Sequence, residues 1–279
     1  MRPGTVSKIL WHFTGGPLWD AETNKQLTQL KPAKSGYDAL CAILSSRELR
    51  VGSYHEIVKL VLPTKTVYDI EKRARVERKN YEITVRSSPV CCVADIPLQH
   101  LGYHAQRYGK IALGFHRDSV VGAGFNPVMY TQETSTLIKQ IYDGYASLDD
   151  LDVWEAKNEL EGIQSKADDV ESEHDIDTDI DTSGPEMSLD WIGDAVAEVT
   201  ESFQNFLAYI KTFDSSEFDT IYCEREWRST LPFKFLLEDI AMVILPKQQE
   251  GFAFYEDFIG RNLLPRDVMV GCWEDLVEH

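Results

Sequence analysis

From Lys8 to Thr14 apolar and polar side chains alternate in KILWHFT, so Ile9, Trp11 and Phe13 share one face of a strand and Leu10, His12 and Thr14 the other. GGP ends that run, and the polar stretch after it reads as a loop of about twenty residues. Ser35 is the expected N-cap of a helix in which Tyr37, Leu40, Cys41 and Leu44 keep helical spacing. LRVGSY, IVKLVLP and YEITVR are short strand patterns, with the basic segment EKRARVERK between the last two as a solvated face or hairpin tip. SSPVCCVADIP is an apolar strand ending at Asp95, whose carboxylate is expected to cap the next helix. On that helix Leu98, Leu101, Ala105 and Tyr108 face a core while His100, Tyr103 and Arg107 point away. KIALGF and NPVMYT add two strands around a turn at Gly122 to Gly124. Trp191, Ala195, Val196, Val199, Phe203, Phe206 and Ile210 form one apolar stripe, predicting an amphipathic helix over 189–212. Strands return in FDTIYCEREWR, DIAMVILP and DVMVGCW. Strand patterns at both ends and helices between them predict the α+β class.

Composition changes this picture in one place. The formal net charge is −18, yet residues 149–190 alone hold sixteen Asp or Glu against two Lys, leaving about −4 for the rest. We read 149–188 as an acidic, partly disordered insertion in a single domain spanning 1–279. The chain carries no basic stripe of the kind that marks a typical nucleic-acid module, which weakens a nucleic-acid partner without excluding an enzyme that touches a single nucleotide. It has no apolar run of membrane-spanning length and no secretory leader pattern, so the expectation is a cytoplasmic protein with no membrane partner. Five cysteines without CxxC spacing read as free thiols.

The candidate chemistry lies in IYCEREWRS, residues 221–229. As a strand it places Tyr222, Glu224, Glu226 and Arg228 on one face, with the two carboxylates about 7 Å apart. That row is either a working site or a charged edge strand. Other chemistries find less support. His100 and His104 have i, i+4 spacing, but Leu101 stands where a zinc protease needs glutamate, and no third ligand suggests itself. Neither a phosphate-binding glycine loop nor a serine nucleophile elbow occurs.

In chain order, WHFT, VADIPLQHLGY and EREWR resemble the His, Tyr and Glu motifs of the ADP-ribosyltransferase fold. The closer resemblance is to the AbiGi-type abortive-infection proteins of bacteria, and a looser one is to DarT-like toxins. It implies two small packed β-sheets forming an NAD cleft, with flanking helices. It also implies an antiphage toxin, a mono-ADP-ribosyltransferase that cleaves NAD as co-substrate and modifies RNA, DNA or a protein. Under it Glu226 is the acid that stabilises the sugar cation, and Glu224 orients or deprotonates the acceptor. His12, Phe13, Thr14, Tyr103 and Arg228 bind the dinucleotide, with Tyr108 as the rival of Tyr103 for stacking. NAD hydrolysis without transfer needs the same site. A cognate antitoxin, and a chaperone, are the partners such a toxin implies. The alternative is a non-catalytic antitoxin or interaction protein, its acidic segment mimicking nucleic acid or neutralising a basic partner.

Overall fold

A computed structural model describes residues 7–20, 25–69, 72–149, 158–166, 183–216 and 224–276. They divide into two compact units, one of Met1–Glu56, Pro89–Tyr130 and Ala208–His279, the other of Ile57–Ser88 and Thr131–Leu207.

The first unit is built on a seven-stranded sheet. Its strands, in chain order, are β1 (Ile9–Phe13), β2 (Cys91–Ala94), β3 (Ala112–His116), β4 (Asn126–Pro127), β5 (Glu226–Ser229), β6 (Ile240–Leu245) and β7 (Met269–Cys272). They lie in the order β7-β6-β3-β1-β2-β5-β4. Only the β6–β7 pair is parallel; the β3–β6, β1–β3, β1–β2, β2–β5 and β4–β5 pairs are antiparallel. The alternation in KILWHFT sorts β1 as expected. Leu10 joins Val93, Leu113, Phe115, Val243 and Leu245 on one face, and Trp11 joins Ala94, Ala112, Met242 and Ile244 on the other. Both faces are covered, which is why IAMVIL reads as an unbroken apolar run rather than an alternating one.

Helix α1 (Ala33–Ser46) covers the Leu10 face, burying Tyr37, Leu40 and Leu44. Helix α2 (Leu101–Tyr108) covers the Trp11 face through Leu101 and Ala105. Gly114 makes the second packing possible, because a Cβ there would meet Ile9 Cγ2 at 2.6 Å and the Trp11 ring at 2.8 Å. We therefore expect Gly114→Ala to cost about 1–3 kcal/mol through overpacking, read as a lower denaturant midpoint at unchanged m-value.

The second unit contains a two-stranded ribbon of His55–Asp69 and Ala74–Pro89, of which His55, Glu56 and Pro89 belong to the first unit, and the helices α3 (Thr136–Asp149) and α4 (Ser183–Leu207). Tyr145 and Phe203 stack at 4.2 Å between the two helices. Among the described residues no helix is long and apolar enough to cross a membrane.

The chain is thus a mixed α/β protein with several small sheets. Where the resemblance implied two small packed sheets, the described residues build one seven-stranded sheet and four two-stranded ribbons, and no ADP-ribosyltransferase fold is shown. Several local expectations are also corrected. The stretch read as a loop after Gly16 forms a ribbon of Pro17–Asp20 and Lys25–Leu30. α1 starts at Ala33 behind Pro32, so Ser35 lies inside the first turn; the Glu250 carboxylate accepts the Ala33 N–H at 3.2 Å, supplying from a distant loop the anion a local cap would give. Asp95 caps no helix, since its carboxylate accepts from the Ser7 N–H at 3.1 Å and from Arg225 at 2.9 Å. The long helix ends at Leu207 rather than at 212, and Ile210 opens a strand, Ile210–Phe213. Of the acidic stretch, 150–157 and 167–182 lie outside the described residues.

Candidate functional site

β5 carries the alternation that made EREWR conspicuous, but only from Glu226 onward. Arg225 has φ 41°, a left-handed conformation that interrupts the strand before it reaches Glu224. Tyr222 and Cys223 lie outside the described residues. β5 is not a bare edge. It is held in register against β2, Glu226 opposite Ala94 and Arg228 opposite Cys92, and is flanked on its other side by the two-residue β4.

Glu226 and Arg228 point to the same face, as a period of two requires, and their side chains meet at 2.6 Å. Arg228 is fully buried. It also bonds Glu56 at 2.5 Å and donates to the Ala208 carbonyl at 2.9 Å, while its Nε has no hydrogen-bond partner among the described residues. Glu224 rejoins the row despite the break. Its two oxygens are taken by Lys211 and Arg107, both at 2.5 Å, and Lys211 lies 3.7 Å from Glu226. Three carboxylates thus face three cations, a cluster of net charge zero on the buried side of a strand. Tyr54 donates to Glu56 at 3.0 Å, and the Tyr130 hydroxyl accepts the Glu226 N–H at 3.0 Å.

Electrostatics follow from this geometry. Burial works to raise the Glu226 pKa, but Arg228 and Lys211 outweigh it and hold the carboxyl at about 2. Burial drives the Cys92 thiol well above its ordinary value, with the Glu226 charge adding to the effect, so this cysteine stays a thiol. Burial lowers His104 to about 4, against the smaller upward pull of Glu226, leaving a neutral imidazole stacked on Tyr108 at 4.5 Å.

The proposed binding residues do not all gather here. Pairing of β1 with β2 is confined among the described residues to Trp11 and Ala94, and beyond that row the His12 Nδ1 meets the Cys92 carbonyl at 3.0 Å. His12 stands opposite Leu113, on the pleat away from the row of Trp11, Ala94 and Glu226. Burial lowers its pKa, though the bond to Cys92 works the other way. Phe13 packs on His104 and Tyr108, with ring centroids 4.9 and 6.4 Å apart. Thr14 donates its N–H to the Ile111 carbonyl at 3.2 Å, and its buried hydroxyl has no partner among the described residues. Tyr103 is 56% exposed and borders a 210 Å³ cavity with Ile96, Pro97, His100, His104 and Arg225. Tyr108, not Tyr103, is the tyrosine beside the charge cluster, where burial and the Glu224 charge raise its pKa and the Arg107 guanidinium lies over its ring.

Pattern reading passed over Glu56, Tyr54, Lys211, Tyr130 and Cys92. Lys211 did carry a signal, being the first Lys or Arg after Lys166, at the end of a strongly acidic stretch. The others sit in ordinary strand-like runs and gain meaning only from their neighbours in space.

Chain and site together define a mixed α/β protein whose most conspicuous feature is an internally neutralised ion cluster. A family model described as "Putative abortive phage resistance protein AbiGi, antitoxin" matches residues 55–259, and the chain belongs to that family. No curated protein and no solved structure matches the chain. The match corrects the leading functional expectation: the family is described as an antitoxin, which overturns the reading of the chain as a toxin that cleaves NAD and transfers ADP-ribose to RNA or DNA.

Proposed function

We propose that this protein is the antitoxin of an abortive-infection system, a non-catalytic cytoplasmic protein that binds and restrains a cognate toxin. The family match over residues 55–259 carries this reading. The charge cluster supports it, because Glu224 and Glu226 are both engaged by cations and Arg228 is spent on two carboxylates within the fold. Such an arrangement fixes the β5 register and leaves little charge to offer a substrate.

Large apolar side chains remain for a partner. Met187, Trp191, Val199 and Phe206 of α4 are exposed by 72, 73, 41 and 45%. Exposed large apolar side chains gathered on one helix are a feature of protein-binding faces.

Growth assays test the proposal. Expressed alone, the chain is expected to be harmless; expressed with the toxin of the same system, it is expected to restore colony formation. Growth arrest caused by the chain alone, relieved by Glu226→Gln, would overturn it.

A further inference from the structure

The ribbon of His55–Asp69 and Ala74–Pro89 does two different things along its length. At its base Val58, Leu60 and Leu62 are buried, and Val58 and Leu60 line one small apolar cavity with Ile83, Val85, Ile138, Ile141, Tyr142, Phe203 and Leu207. Lys59 there bridges Glu82 at 3.1 Å and Glu133 at 3.3 Å. From Pro63 to Asn80 none of the described side chains is fully buried. Thr64 and Thr66 are exposed, and so is every residue from Lys72 to Asn80 except the half-buried Val76. From Leu62 to Asp69 the strand advances about 23 Å, with Lys65 lying over the Tyr142 ring of α3 at 5.5 Å and the exposed residues from Lys72 onward beyond that contact.

Two-stranded ribbons without a core are marginal in water, so a tip of this length calls for a reason other than stability. Its composition supplies one. In a chain of net charge −18, Lys72, Arg73, Arg75, Arg78 and Lys79 stand against three carboxylates, Asp69, Glu71 and Glu77, between positions 69 and 79, a local net charge of +2. Arg73, Arg75 and Lys79 form no ion pair among the described residues. Arg73 turns the chain at φ 49°, and Asn80, at φ 48°, adds a left-handed residue that twists the strand behind the tip. Arg75 and Lys79 fall on one face by the strand period, Arg78 on the other, and Arg73 at the end. Cations therefore point in three directions. A flat acidic protein surface would meet only one of these faces. A groove walled by phosphates on both sides meets them all.

We infer that this ribbon tip is a binding site for double-stranded DNA, seated in the major groove and held by the phosphate backbone. The major groove of B-form DNA admits a two-stranded ribbon, whereas the deep, narrow major groove of duplex RNA does not. At 0.1 M salt the screening length is about 10 Å, so the rest of the chain's acidity is strongly damped over the length of the projecting strand. This site is independent of the antitoxin reading and calls on none of the residues of the charge cluster.

Fluorescence anisotropy of the full chain with a labelled random-sequence DNA duplex between 50 and 200 mM salt tests the inference. Binding is expected to weaken steeply as salt rises, with a slope of about −0.9 in log–log form for each phosphate contact. The variant Arg73→Glu/Arg75→Glu/Lys79→Glu is expected to lose at least tenfold in affinity and to flatten that slope by two or more. All three positions are exposed, so circular dichroism and thermal unfolding of the variant should match the parent. No binding at 50 mM salt, equal binding by parent and variant, or a preference for duplex RNA would each overturn the inference. Toxin rescue measured on the same variant is expected to be unchanged, which separates this site from the protein–protein function.

Discussion

Replacing Arg228 with leucine is expected to cost about 3–5 kcal/mol, the range for removing one member of a buried ion cluster while its partners stay behind. The guanidinium is fully buried and bonds Glu56 at 2.5 Å, Glu226 at 2.6 Å and the Ala208 carbonyl at 2.9 Å. Its loss leaves the Glu56 and Glu226 carboxylates with poor solvent access and without their shared guanidinium, Lys211 lying 3.7 Å from Glu226. For a chain of this size the loss corresponds to a fall of about 10 °C in Tm. The triple variant Glu56→Met/Glu226→Leu/Arg228→Leu removes Arg228 with both of its carboxylate partners, leaving Lys211 and Arg107 on Glu224, and is expected to recover much of that loss, since a buried ion pair is often no better than apolar packing of similar volume. If Arg228→Leu shifts Tm by less than about 2 °C, water reaches the cluster and the burial argument fails.

Acid is expected to unfold the protein through two separable windows. His104 has a folded pKa of about 4 against an ordinary 6.5, because burial disfavours its charged form. A depressed pKa contributes stability that is complete above pH 6.5 and is lost as the pH falls toward 4. Glu226, at about 2 against an ordinary 4.5, contributes stability that is complete above pH 4.5 and is lost as the pH falls toward 2. Each shift corresponds to about 3 kcal/mol over its window. Denaturant titrations at a series of pH values should show stability falling through both ranges. His104→Leu should flatten the upper range alone, and Glu226→Gln the lower one alone. A stability curve that is flat between pH 6.5 and 4 in the parent protein would refute the buried, neutral state of His104.

Much of the local structure was legible because it follows from short-range periodicity. The strand Ile9–Phe13, the apolar face of α1 and the runs at Ile240–Leu245 and Met269–Cys272 each carry a pattern that chain geometry turns directly into an element. At two helix termini where the reading failed, the deciding contact lay far along the chain, whereas the ribbon of Pro17–Asp20 and Lys25–Leu30 was missed although it is local. Ser35 looked like a cap, but the anion at the α1 terminus is Glu250, 217 residues from Ala33. Asp95 looked like a cap, and instead it holds Arg225 across 130 residues.

The candidate site divides in the same way. Glu226 and Arg228 are neighbours by strand period and were paired from sequence alone. Glu224 was assigned to that row for a reason the structure removes, since Arg225 breaks the strand; its place in the cluster is set by Lys211 and Arg107 instead. Helical periodicity had set Tyr108 on the core face and Tyr103 away from it, and the structure keeps that division, with Tyr103 exposed and Tyr108 packed against His104 and Arg107.

Sequence alone determined the strands at Ile9–Phe13, Ile240–Leu245 and Met269–Cys272 and the apolar faces of α1 and α2, because these depend on neighbours within a few residues. Tertiary structure alone decided that the carboxylates are neutralised rather than free and that His12 and Glu226 lie on opposite pleats. Charge balance and burial depend on residues brought together from 172 and 117 positions apart, as Glu56 is to Arg228 and Arg107 to Glu224. No local pattern encodes such a distance.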